Sequence, residues 1–204
     1  MIGLENKTEC SNVFMVLADL YKLPTIEIWD EIKQQDLLKK LEKSVNELYS
    51  VGFSIEEVLP ENYAEFQELY LNSIGSTQMH AALPIESLYK PWTQDETCTL
   101  PFARDKGYIL GDSALHINYL LEKLKIDIPI ELQSMPDHLA ILLELLAYFI
   151  EHAPEHFTAE FMDDHYDWLE EFESKLLEVT EHQFYQRLTR LLIGTVKAHR
   201  NNYL

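Results

Sequence analysis

Apolar residues recur every three or four positions along most of the chain, the spacing that lines up one face of a helix. Val13, Leu17, Leu20 and Tyr21 form one such stripe, and Leu38, Leu41, Val45 and Leu48 a second. Tyr63, Phe66 and Tyr70 follow, then Ile117, Leu120, Leu121 and Leu124. Phe161, His165, Trp168, Leu169, Phe172 and Leu176 make a further stripe, and Phe184, Leu188, Leu191 and Thr195 the last. Start signals accompany them: Ser54-x-x-Glu57 and Thr180-x-x-Gln183 read as capping boxes, and Asp112 after Gly111 as an N-cap. No stretch alternates with period two for long, so a short strand at Tyr108–Leu110 is the most the β pattern allows. The expectation is an all-α protein, one helical domain over 1–204, with roughly eight to ten helices.

The run Leu139–Ile150 is apolar on every face except at Glu144. A helix apolar all round belongs in the middle of a fold, so a buried central helix is expected near 136–150. Ser134-x-Pro136-Asp137 reads as its start, since proline suits the first turn and an aspartate there meets the positive end of the helix dipole. Glu144 then needs a partner or a cavity, because an unpaired buried carboxylate is costly. The preceding residues 126–135 read as a hinge between an N-terminal part, 1–125, and a C-terminal part, 136–204.

From Gly75 to Gly107 the helical period disappears. The segment holds Pro84, Pro91 and Pro101, together with Leu83, Ile85, Leu88, Tyr89, Trp92, Leu100 and Phe102, which favour burial. A loop this long is uncommon inside a compact domain unless it has a function or is disordered, and so apolar a loop is expected to be ordered. It either lines a binding surface or plugs the underside of the bundle.

Composition narrows the function. Of 204 residues, 47% are hydrophobic and 25% charged, which excludes a disordered tail or a disulfide-stapled miniprotein. The formal net charge is −19, a poor match to a nucleic-acid backbone and a better one to a cationic partner. No Lys or Arg occurs between Lys125 and Lys175, where thirteen Asp and Glu fall, whereas Arg187, Arg190, Lys197 and Arg200 return near the end. Two cysteines, Cys10 and Cys98, form no ligand motif and suit a reduced, cytoplasmic protein. The first residues lack the charged and apolar regions of a signal peptide, and the greasiest run is too short to span a membrane.

The chain contains no GxGxxG, GxxxxGK[ST] or GxSxG, so dinucleotide, P-loop and serine-hydrolase chemistry lack their motifs. His152, His156, Asp163, Asp164 and His165 resemble metal ligands in type, but Pro154 breaks the turn between the two histidines and the two aspartates diverge. Asp137-His138 reads as a capping carboxylate beside a partly buried imidazole, or as a general base without a nucleophile. No catalytic residue, metal ligand or cofactor is assigned. The competing readings are a small metal-dependent hydrolase using His138, His152 and His165, and an acidic helical adaptor for a basic peptide.

Three segments carry a family likeness. Leu83-Pro84-Ile85-Glu86-Ser87-Leu88-Tyr89-Lys90-x-Trp92 resembles the loop motif of the TorD/DmsD/NarJ family of cytoplasmic chaperones for molybdenum-cofactor oxidoreductases. Pro136-Asp137-His138-Leu139 is similar to its second motif, and Phe161-x-x-x-His165-x-x-Trp168-x-x-x-Phe172 to its third, on one face of a C-terminal helix. The resemblance implies a non-enzymatic protein that binds the N-terminal leader, or a leader-like segment, of a molybdopterin oxidoreductase catalytic subunit. It also implies help with cofactor insertion and a check on premature export. By the same resemblance Tyr89, Trp92, Pro136, Asp137 and His138 form a peptide-binding cleft, with Glu86 and Ser87 fixing the loop; on charge complementarity an arginine-rich leader head would then find its carboxylate partner at Asp137. His165 and Trp168 are assigned to packing.

Overall fold

A computed structural model describes residues 4–52, 54–75 and 80–203. Among these, nine α-helices follow one another: α1 (Leu4–Leu20), α2 (Ile26–Gln34), α3 (Leu37–Tyr49), α4 (Tyr63–Ser73), α5 (Asp112–Leu124), α6 (Leu139–His152), α7 (Glu155–His165), α8 (Leu169–Val179) and α9 (Gln183–Asn201). Three single 3-10 turns, Glu56–Val58, Glu86–Leu88 and Ile130–Leu132, punctuate the connections. No strand forms among the described residues; the sole sheet-like pairing is an isolated antiparallel bridge between Ile85 and His138. The expected strand at Tyr108–Leu110 does not form: Ile109 and Leu110 make a bend, with Leu110 in the left-handed region at φ 61°.

The central helix is α6. Ten of its residues, from Leu139 to Ile150, are buried, and its longest partner is α1, which lies along it. Aromatic rings tie the periphery to this spine: Phe149 meets Phe157 and Phe161 edge-on, and the Tyr166 hydroxyl donates to the Leu142 carbonyl at 2.7 Å. Glu144 lies at the half-exposed edge of α6, where Lys22 pairs with it at 2.6 Å.

The helix ends depart from the expected signals for local reasons. Ser54-x-x-Glu57 yields only one 3-10 turn; the real cap in this region is Asn62, which accepts from Glu65 N–H at 3.1 Å and donates back to the Glu65 carboxylate at 2.7 Å. At α9 the cap is His182, whose Nδ1 accepts from Phe184 N–H, while Thr180 Oγ1 accepts from His182 N–H one step earlier. Gly111, not Asp112, caps α5, and a Cβ there would sit 2.5 Å from the Trp92 carbonyl oxygen. Asp112 instead accepts from the Thr93 hydroxyl and Gln94 N–H, tying the long loop to α5. The expected single stripe from Phe161 to Phe172 is divided between α7 and α8. The Trp168 indole N–H donates to the His165 carbonyl at 2.8 Å, taking the acceptor that the next helical turn would use.

The charge pattern resolves within the molecule. Of the thirteen acids between Lys125 and Lys175, seven pair with bases from elsewhere in the chain: Glu144 with Lys22, Glu155 with Lys7, Asp163 with Arg200, Asp167 with Lys90, Glu170 with Lys197, Glu171 with Lys106 and Glu173 with Arg190. Most of these pairs are exposed and contribute little each. They show that much of the acidic run is answered by the chain's own bases rather than held open for a partner. No helix of the described residues is long and apolar enough to cross a membrane.

Candidate functional site

The described part of the long loop, residues 80–107, is knitted closed. Gly107 N–H donates to Leu88 O at 3.0 Å, Trp92 N–H to Asp105 O at 3.0 Å and Thr93 N–H to Ala103 O at 2.9 Å. The Arg104 guanidinium donates to the carbonyls of Thr93 and Asp95. These bonds answer the backbone groups that the absence of helix leaves open, and they order the loop without regular structure.

A buried joint fastens the loop to the rest. Ser87 donates from its backbone N–H (2.7 Å) and hydroxyl (2.5 Å) to Asp137 Oδ2, Glu86 N–H reaches Asp137 O, and Leu139 N–H reaches Pro84 O. The start of α6 is thus clamped to the Glu86–Leu88 turn. Burial raises the Asp137 carboxyl above the ordinary range, and the two Ser87 hydrogen bonds offset only part of that. Ser87→Ala removes the hydroxyl donor and is expected to cost about 1–3 kcal/mol, measured as a lower midpoint in urea; an unchanged midpoint would contradict the joint's role.

His138 is the N-cap of α6. Its Nδ1 accepts from Ala140 N–H at 3.2 Å, a bond only a neutral imidazole can make, and burial with Lys22 nearby pushes its pKa down to about 4. The cap is therefore the histidine rather than the aspartate, and the helix begins at Leu139, two residues beyond the expected turn.

Glu86 is the second half of the joint and is fully buried. Its Oε2 accepts from His165 Nδ1 at 2.7 Å, and Lys90 Nζ lies 2.8 Å from its Oε1, a charge contact without hydrogen-bond alignment. His165 Nε2 continues to His116 Nδ1 at 2.8 Å, with the two rings stacked. Lys90 also pairs with Asp167 at 2.7 Å and donates to the Asp164 carbonyl. Burial works to lower the Lys90 pKa, but Glu86 and Asp167 outweigh it and the net direction is up. One carboxylate thus joins the loop to α7, to the α7–α8 corner and, through two imidazoles, to α5.

The sequence-derived site residues fall on both sides of this joint. Glu86, Ser87, Pro136, Asp137 and His138 come together, as the motifs require, but all five are buried. Glu86 and Ser87 hold the loop against the start of α6: Ser87 engages Asp137 Oδ2, while Asp137 Oδ1 lies buried without a hydrogen-bond partner among the described residues. Tyr89 is also largely buried, stacked on Trp168 at 5.2 Å with its hydroxyl on Leu83 O, although its edge reaches a groove. That groove, about 390 Å³, runs between the loop and α8 past Leu83, Leu88, Gly107 and Glu171. Trp92 is half-buried and packs edge-on against Phe102, which meets Tyr108 in turn. His165 and Trp168 are packed in the core, as expected.

Sequence reasoning missed His116 and Lys90 as members of the joint. Neither stands out locally, and both earn their place through partners far along the chain.

The histidines of the alternative metal site do not converge. His138 caps the N-terminus of α6 and His152 is its last residue, about 20 Å away at 1.5 Å per residue, and no cluster of three or more His, Cys, Asp or Glu suited to a metal exists among the described residues.

Comparison with known proteins places this architecture. Residues 34–195, from α2 through the loop, the clamp and α7–α8 into α9, match the family model described as nitrate reductase delta subunit. The chain belongs to the nitrate reductase delta subunit family. It is 26% identical over 188 residues to the chaperone protein TorD of Shewanella pealeana, covering 90% of this chain and 78% of that one. It is 30% identical over 90 residues to the probable Tat proofreading chaperone DmsD of Haemophilus influenzae, 44% of each chain. Family membership makes this a chaperone rather than an enzyme, and the three-motif resemblance leads to the same family.

Proposed function

We propose that the protein is a system-specific chaperone that binds the N-terminal leader, or leader-like segment, of a molybdopterin oxidoreductase catalytic subunit. In this reading it assists cofactor insertion and holds back premature export. The observation that carries the proposal is the clamped loop: a long segment, fixed from beneath by Ser87–Asp137 and Glu86–His165, that holds Trp92, Phe102 and Tyr108 in a continuous row of rings. Pre-ordering such a surface removes much of the entropic cost of binding a flexible peptide. Aromatic anchors are the side chains that dominate peptide and protein interfaces.

Within this scheme Trp92 contacts the peptide, Tyr89 contributes its groove edge, and Glu86, Ser87, Pro136, Asp137 and His138 act as positioning residues under the loop. The test is co-expression of the tagged protein with candidate catalytic subunits, with and without their leaders. Capture of one subunit only when its leader is present supports the proposal. Equal capture of leaderless and intact subunits overturns leader recognition.

A further inference from the structure

The solvent side of α5 interleaves Asp112, His116, Glu122 and Lys123 with two large apolar side chains that a surface helix normally turns inward. Ala114, Ile117, Leu120 and Leu121 face the core, yet Leu115 is 61% exposed and Tyr119, one turn on, is 55% exposed. The three residues leading into the helix, Tyr108, Ile109 and Leu110, are each more than 40% exposed, as is Leu100 beyond Phe102. Leu110 holds a positive φ of 61°, a left-handed conformation that residues other than glycine rarely adopt. The strain turns an apolar side chain outward just before α5. Scattered apolar residues on a surface are ordinary, but a run of this kind on two adjoining elements marks an interaction face.

Charge gives the face a direction. Between Cys98 and Tyr119 two acids, Asp105 and Asp112, balance two bases, Arg104 and Lys106, so the −19 of the chain lies outside it. On α7, whose His165 meets His116 of α5 at 2.8 Å, Glu160 and Asp164 stand one helical turn apart, both exposed; neither carboxylate joins an ion pair among the described residues, although Lys90 Nζ donates to the Asp164 backbone carbonyl. Asp164 is close enough to His116, the exposed neighbour of Leu115, to act on its imidazole through space. An apolar strip with an open carboxylate pair at one edge is complementary to a segment with a basic head followed by an apolar stretch.

We infer that the α5 face, Tyr108 to Leu110 with Leu115 and Tyr119, receives the apolar stretch of the leader, and that Glu160 and Asp164 receive its basic head. This rests on the leader reading above and adds a binding surface outside the loop and clamp motifs.

The experiment is a fluorescence titration of labelled twin-arginine leader peptides into wild-type protein, into the Leu115→Glu/Tyr119→Glu double variant and into Glu160→Gln/Asp164→Asn. All four side chains are exposed, so each variant is expected to melt at the wild-type temperature. The glutamate pair is expected to weaken binding tenfold or more even though added negative charge attracts a basic head. The amide pair is expected to weaken the native leader several-fold and a leader with its arginines replaced by glutamine hardly at all. A leader that binds wild type and both variants equally overturns the inference while leaving the leader reading intact. No leader binding to wild type overturns both.

Discussion

Replacing Glu86 by alanine is expected to lower the free energy of unfolding by about 3–5 kcal/mol. The carboxylate is fully buried, accepts from His165 at 2.7 Å and faces Lys90 at 2.8 Å. Removing it leaves an ammonium and an imidazole in a space shaped for their counter-charge, and breaking one side of a buried pair costs more than the pair is worth. A proportionate drop in the urea midpoint is the reading to look for. The double change Glu86→Leu/Lys90→Met should recover part of the loss, because it removes both charges together. A Glu86→Ala protein within about 1 kcal/mol of wild type would mean that the joint does not hold the loop.

The second large effect is acid sensitivity. His138 and His199 are both buried, and burial pushes each pKa down to about 4. His199 spends its ring nitrogens on the hydroxyls of Tyr49 (2.9 Å) and Tyr203 (3.0 Å), and His138 accepts from Ala140. In the unfolded chain both titrate near 6.5. The unfolded state therefore binds more protons across that interval, and stability falls as pH drops from about 6.5 towards 4. At pH 5 each histidine is expected to cost about 2 kcal/mol relative to pH 7, a sum that matters against a typical margin of about 5–15 kcal/mol. His116 and His182 shift in the same direction, and Asp137, raised by burial, opposes them. Urea unfolding at pH 7, 6 and 5 measures the slope. His138→Asn keeps an N-cap acceptor without the titration and should remove roughly half of the fall; a flat profile for wild type would show that these imidazoles are not held neutral.

Much of the fold is legible in the sequence because it depends on local periodicity. The run from Leu139 to Ile150 leaves no polar face, so its place at the centre follows from composition alone, and the structure buries it. The stripes of α3, α5 and α9 are equally plain. Helix ends are less so: Asn62, His182 and Gly111 cap where Ser54, Thr180 and Asp112 offered the more familiar pattern. Which polar group wins a cap depends on competing uses, as Asp112 shows by turning to Thr93 and Gln94. The site was legible as a set of residues and not as an arrangement. Motif spacing assembles Glu86, Ser87, Asp137 and His165, but their bonds cross 50 and 79 positions of chain, and no local signal tells a buried clamp from an open cleft.

Leader recognition is measured by calorimetric titration with the twin-arginine leaders of the host's molybdoenzymes, each beside a Lys-Lys variant. Saturable binding of micromolar strength or better by one leader is expected, weakened in its Lys-Lys form and in the Trp92→Ala protein. Absence of binding by every leader, with the protein folded, would contradict leader recognition.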